Sequence, residues 1–97
     1  MEVFTVELRV RAYEDLDDCL DVHIASSLEK AVAWCQGNLD YHSKDDLQPW
    51  VFFICSDIVD SNRVTDTHVR GCVGWDGVFA TRTPAYYLNA LPPGRAD

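Results

Sequence analysis

Five carboxylates crowd into eight residues of this chain: Glu14, Asp15, Asp17, Asp18 and Asp21. Acids at such density either hold a hard cation or present a negative surface to a basic partner. The cation reading fails on spacing, because a calcium loop of the EF-hand type needs acids at alternate positions, a central glycine and a terminal glutamate. A solvated hairpin tip accounts for the cluster with no function at all; an acidic docking patch is the functional reading. Asp40, Asp45 and Asp46 would extend that patch if their loop shares its edge.

Other chemistry-bearing residues are scattered. General acid–base work needs a histidine held by a second group near a nucleophile. Of His23, His42 and His68, only His68 has such company, with Asp66 before it and Cys72 after it. Strict strand alternation puts His68 and Cys72 on one face, but four residues of strand separate them by roughly 13 Å, beyond hydrogen-bond reach. No catalytic residue is therefore assigned. Ser27-x-x-Lys30 has the spacing of penicillin-binding-type acyl enzymes, yet the companion motifs are absent and helix capping explains the serines. Cys19, Cys35, Cys55 and Cys72 form no C-x-x-C pair, so they read as small buried hydrophobes with free thiols, and neither a metal nor a cofactor is expected. Phosphate loops and dinucleotide fingerprints are absent.

Charge narrows the choice of partners. The net charge is −8, and residues 1–60 hold thirteen acids against four bases. Direct binding to nucleic acid is not expected, since it needs clustered Lys and Arg to displace counterions. Arg9, Arg11 and Arg70 share a sheet face in the simplest register, but the net field opposes nucleic acid there. A basic protein partner suits the field. No apolar run approaches the roughly 18 residues of a membrane span, and the start at Met1-Glu2-Val3 lacks the pattern of a secretory signal, so a cytoplasmic location is expected.

The elements that must position these residues are arranged around Pro49–Val59, PWVFFICSDIV, the only stretch apolar at both even and odd positions. Such a run predicts a central strand covered on both faces. Before it, Glu2–Tyr13 alternates cleanly, Glu14–Asp18 reads as a turn, and Leu20, Val22 and Ile24 point inward with Asp21 and His23 outward. Ser26 as N-cap with Glu29 three residues on predicts a capping box, followed by an apolar stripe through Leu28, Ala31, Val32, Cys35 and Leu39, with Gly37-Asn38 ending the helix. After the central strand come a turn at Asp60–Arg63, a strand over Thr67–Trp75, a tight two-residue hairpin at Asp76-Gly77 and a short strand over Val78–Thr81. Gly71 and Gly74 predict a bulge, or a place where another backbone or a Trp ring packs close.

These elements imply an α+β fold in β-β-α-β-β order: a two-layer sandwich of one helix on a four- to five-stranded, mainly antiparallel sheet, in spatial order 2-1-3-4. Residues 1–83 form the single domain. Residues 84–97 are a partly apolar tail that packs on the sheet or on a partner and ends in disorder. One helix cannot cover both faces of the sheet, so Val51, Phe53, Tyr86 and Tyr87 are a candidate interface and a homodimer is anticipated. The expected function is that of a small, acidic, non-enzymatic, cytoplasmic protein-binding or regulatory and inhibitory module. The alternatives are an acidic nucleic-acid mimic that blocks a nuclease or DNA-binding partner, and a small enzyme or ligand-binding domain using His68 and Cys72.

Overall fold

In the computed structural model, residues 1–11, 17–40 and 50–88 are described. Five antiparallel strands curl into a half-barrel accompanied by two short helices, a mainly β fold. The strands are β1 (Glu2–Arg11), β2 (Asp17–Ala25), β3 (Trp50–Asp60), β4 (Arg63–Val73) and β5 (Phe79–Ala80); the helices are α1 (Leu28–Gly37) and α2 (Pro84–Leu88). The spatial order is β2-β1-β3-β4-β5. Strand β3 is central, as its two-sided apolar sequence requires. Among the described residues no helix is long and apolar enough to cross a membrane.

The two faces of β3 build two cores. Trp50, Phe52 and Ile54 point to the helix face, where Phe4, Val6 and Leu8 of β1 meet Ala31 and Cys35 of α1. Val51, Phe53 and Cys55 point to the second face, where Cys72 and the Tyr87 and Leu88 side chains of α2 cover them. The expected single helix on one face is thus replaced by two short helices, one on each face. At Gly74 a Cβ would overlap the Tyr87 ring, so the missing side chain is what lets α2 lie flat on the sheet. The ring packed at that glycine is Tyr87 and not the expected tryptophan; Trp75 stands edge-on to it, with centroids 5.5 Å apart.

Bulges decide which side chains face where. In β2, Val6 pairs with His23 and Glu7 with Asp21, leaving Val22 as the extra residue. One inserted residue exchanges the faces beyond it. His23, expected to point outward, stacks on Trp34 of α1 at 4.7 Å and 7°. Ile24, expected in the core, is 66% exposed. In β4, Ile54 pairs with Gly71 and Cys55 with Val69, which makes Arg70 the extra residue, and Gly71 takes φ 152°, a conformation glycine tolerates.

Several boundaries differ from the sequence reading. Asp17 and Asp18, expected in the turn, belong to β2, because backbone pairing continues to Arg11 and Val10. The N-cap of α1 is Ser27, not Ser26: its Oγ accepts from the Lys30 N–H at 3.2 Å. Glu29 therefore closes no capping box and acts instead as a first-turn acid beside the positive end of the helix. Asn38 ends the helix as anticipated, its N–H donating to Cys35 O at 3.1 Å. Strand β4 begins at Arg63, directly after a two-residue turn in which Ser61 and Asn62 both have positive φ, 52° and 66°. The β4–β5 connection is longer than a two-residue hairpin: Gly77 N–H donates to Gly74 O at 3.0 Å, and Val78 N–H donates to Asp76 Oδ1 at 3.1 Å.

Candidate functional site

The β3–β4 hairpin extends past the covered part of the sheet. All eight residues from Arg63 to Arg70 are exposed. On one side β4 pairs with β3 along its whole length, whereas β5 on the other side reaches only Cys72 and Val73. Among the described residues nothing pairs with the outer edge of β4 from Arg63 to Arg70; Gly71 is buried against Ala80 and the Phe79 ring. An open strand edge presents unpaired N–H and C=O groups in a row and is a template for another extended chain. Val64 and Val69 lie along this edge, 61% and 67% exposed.

A groove of about 600 Å³ adjoins the edge on the helix face, with Ile58, Leu28 and Phe79 as its apolar walls and Glu2, His68 and Arg70 as its polar ones. Within it, His68 Nε2 lies 2.9 Å from Asp66 Oδ2, and the Arg70 guanidinium stands 5.6 Å from the centre of the Phe4 ring. A smaller cleft of about 300 Å³ opens on the second face between Thr5, Glu7, Arg9 and Asp57. Most of its polar groups meet one another, but Arg9 Nε is buried with no hydrogen-bond partner. Arg9 Nη2 lies 3.3 Å from Glu7 Oε2 with the guanidinium 4.6 Å over the Phe53 ring, and Thr67 Oγ1 donates to Asp57 Oδ1 at 2.7 Å.

The enzyme reading finds little geometry to stand on. The bulge at Arg70 breaks the alternation between His68 and Cys72. His68 pairs with Ser56 on the helix face and Cys72 pairs with Phe53 on the second face, so the sheet lies between them. Burial pushes the Cys72 thiol up to about 12, against the opposing pull of Arg9, and burial does the same to Cys35. A thiol held protonated is no nucleophile. Ser56, His68 and Asp66 do share one face, with His68 directly opposite Ser56. Ser56 is completely buried, however, and its Oγ has no hydrogen-bond partner, so a substrate cannot reach it and no base is in contact with it.

The remaining sequence candidates are dispersed. Glu14, Asp15, Asp45, Asp46 and His42 lie outside the described residues. Asp17, Asp18 and Asp21 follow one another along β2, the strand at the opposite margin of the sheet, at the backbone positions facing Arg11, Val10 and Glu7. Arg9 and Arg70, grouped on one face by the sequence, point to opposite faces. Of the four candidate interface residues, Val51, Phe53 and Tyr87 are core of this same chain, and only Tyr86 is exposed, beneath the Arg82 guanidinium at 4.1 Å. Among the described residues no three metal-ligating side chains converge. Sequence reasoning missed the β4 edge because it began the strand at Thr67; the signal available was the run Val64-Thr65 directly after the Ser61-Asn62 turn. No protein-family model, curated protein or solved structure matches the chain.

Proposed function

We propose that this chain is a small, non-enzymatic protein-binding module that acts through strand addition at the outer edge of β4. The observation that carries the reading is the edge itself: Arg63–Arg70, paired on one side only among the described residues and bordered by a groove with apolar walls. Main-chain hydrogen bonds along such an edge supply affinity, and the adjoining groove takes alternate side chains of the incoming segment. In this reading the module works in the cytoplasm, where its thiols stay reduced.

A second reading rests on Asp17, Asp18 and Asp21, which line the other margin of the sheet. It makes that acidic strand a docking surface for a basic protein, in its sharpest form a mimic of nucleic-acid phosphates. Capture from native extract separates the two. The wild-type chain is compared with Thr67→Lys/Val69→Lys, which charges the β4 edge, and with Asp15, Asp17, Asp18 and Asp21 changed to Asn. The edge reading expects the partner to be lost with the first variant and kept with the second. The reverse pattern, with binding that weakens as salt rises, would transfer the function to the acidic strand.

A further inference from the structure

The groove on the helix face holds two opposite charges that no side chain answers. Glu2 and Arg70 both line it, both are exposed, and neither has an ion-pair partner among the described residues. Asp66 and His68, on the same face, already meet each other at 2.9 Å. Arg70 meets the chain only at the Phe4 ring, 5.6 Å from its centre, so the N–H fork that grips a carboxylate has no acceptor among the described residues.

The two charges stand one step of strand apart. Glu2 lies beside Ile58; the next residue of β1 on that face is Phe4, which marks where the guanidinium sits. Two residues of strand are about 7 Å. A side chain of β4 reaches Phe4 only by crossing β3, and it crosses at Ser56, the β3 residue opposite Phe4, whose buried hydroxyl has no partner. A serine between Ile54 and Ile58 lowers the floor there. Leu28, at the start of α1, with Ile58 and Phe79 forms apolar walls around about 600 Å³, a volume within the range of small-molecule sites.

Charge and spacing select the ligand. The net charge of −8 opposes an anion, and Arg70 opposes a plain cation. A zwitterion escapes both. An α-amino acid with a charge-assisted hydrogen bond of about 2.8 Å at each end covers the step between the two charges. Each further residue of a peptide would add about 3.3 Å, which overshoots it. We infer that the groove binds a free apolar α-amino acid, its carboxylate on Arg70, its ammonium on Glu2 and its side chain against Leu28, Ile58 and Phe79. This goes beyond strand addition at β4, which uses the main chain of the edge and needs neither Glu2 nor the Arg70 guanidinium.

The test is titration of L-leucine into the isotopically labelled full chain, followed through its amide resonances. N-acetyl-L-leucine, which lacks the ammonium, and L-leucinamide, which lacks the carboxylate, are titrated in parallel. Glu2→Gln and Arg70→Gln, both at exposed positions and checked for native circular dichroism, are titrated in the same way. The expected result is a saturable shift confined to the groove around Leu28, Ile58 and Phe79, with each blocked derivative about tenfold weaker than leucine. Arg70→Gln then removes the preference for leucine over leucinamide, and Glu2→Gln removes the preference over N-acetyl-leucine, because each variant deletes the partner of the blocked group. Absence of a saturable shift, a shift centred elsewhere, blocked derivatives that bind as well as leucine, or preferences that survive in the variants each overturn the inference. None of these outcomes touches the edge reading, which stands or falls on capture by the charged-edge variant.

Discussion

Burial at single residues sets the chemistry of the thiols. Cys35 and Cys72 lie in the cores of opposite faces, and burial raises both from 9.0 to about 12. A group whose proton is held more tightly in the folded state stabilises the fold fully below its unfolded pKa and progressively less above it. Stability is therefore expected to fall as pH rises through the window from 9 to 12, read as a dropping thermal midpoint. The same burial predicts that iodoacetamide near pH 8, below the free thiol value, leaves both residues unmodified in the folded protein and reacts with them in denaturant. Rapid alkylation of either under native conditions would contradict the burial described above. Ser56 is a different case, a hydroxyl in the core with no partner. Such a group is a local destabilising feature.

At the scale of elements, α1 distinguishes two neighbouring serines. Only Ser27 caps the helix, through the Lys30 N–H. Ser27→Ala is expected to lower stability by about 1 kcal/mol, the usual worth of an N-cap, while Ser26→Ala changes it by only a few tenths. Chemical denaturation of the two variants decides the matter, and an equal loss in both would mean that the cap is shared. Helix α2 has five residues, too few to be stable alone, and holds its shape because Tyr87 and Leu88 are buried against β3. The capping sequence Ser26-Ser27-Leu28-Glu29 announced a helix start but not its register, since both serines satisfy the same local pattern. Which one caps is settled by how Leu28, Ala31 and Cys35 meet the sheet.

The whole molecule is divided between a covered body and an exposed hairpin, with the described residues spanning 49 × 28 × 21 Å. Its amino terminus braces the hairpin from the β1 side: the Met1 amino group donates to Val59 O at 2.9 Å, and Val59 N–H donates to Met1 O at 2.7 Å. Nothing among the described residues braces the outer edge of β4. Backbone groups on an open edge exchange with solvent faster than those between paired strands. Amide exchange is expected to be fast at those amides of Arg63–Arg70 that turn away from β3 and slow at Val6, Phe52 and Ile54. Uniform protection of β4 would show the edge to be covered.

Local pattern by itself determined that β3 is central, that a helix follows the second strand, and that the strand order is 2-1-3-4, because two-sided hydrophobicity, the 3.6-residue period and connection rules act over short stretches. Tertiary structure alone decided which way side chains point beyond a bulge. The extra residues at Val22 and Arg70 exchange the faces of Ile24 with His23 and separate His68 from Cys72. The bulge in β4 falls beside Gly71, where glycine had marked one, but the bulge in β2 at Val22 carries no mark in its own sequence, since it is fixed by pairing with β1. The β4 edge was hidden for the same reason. A strand is open or closed according to what lies beside it, and only the assembled sheet shows that β5 stops at two residues.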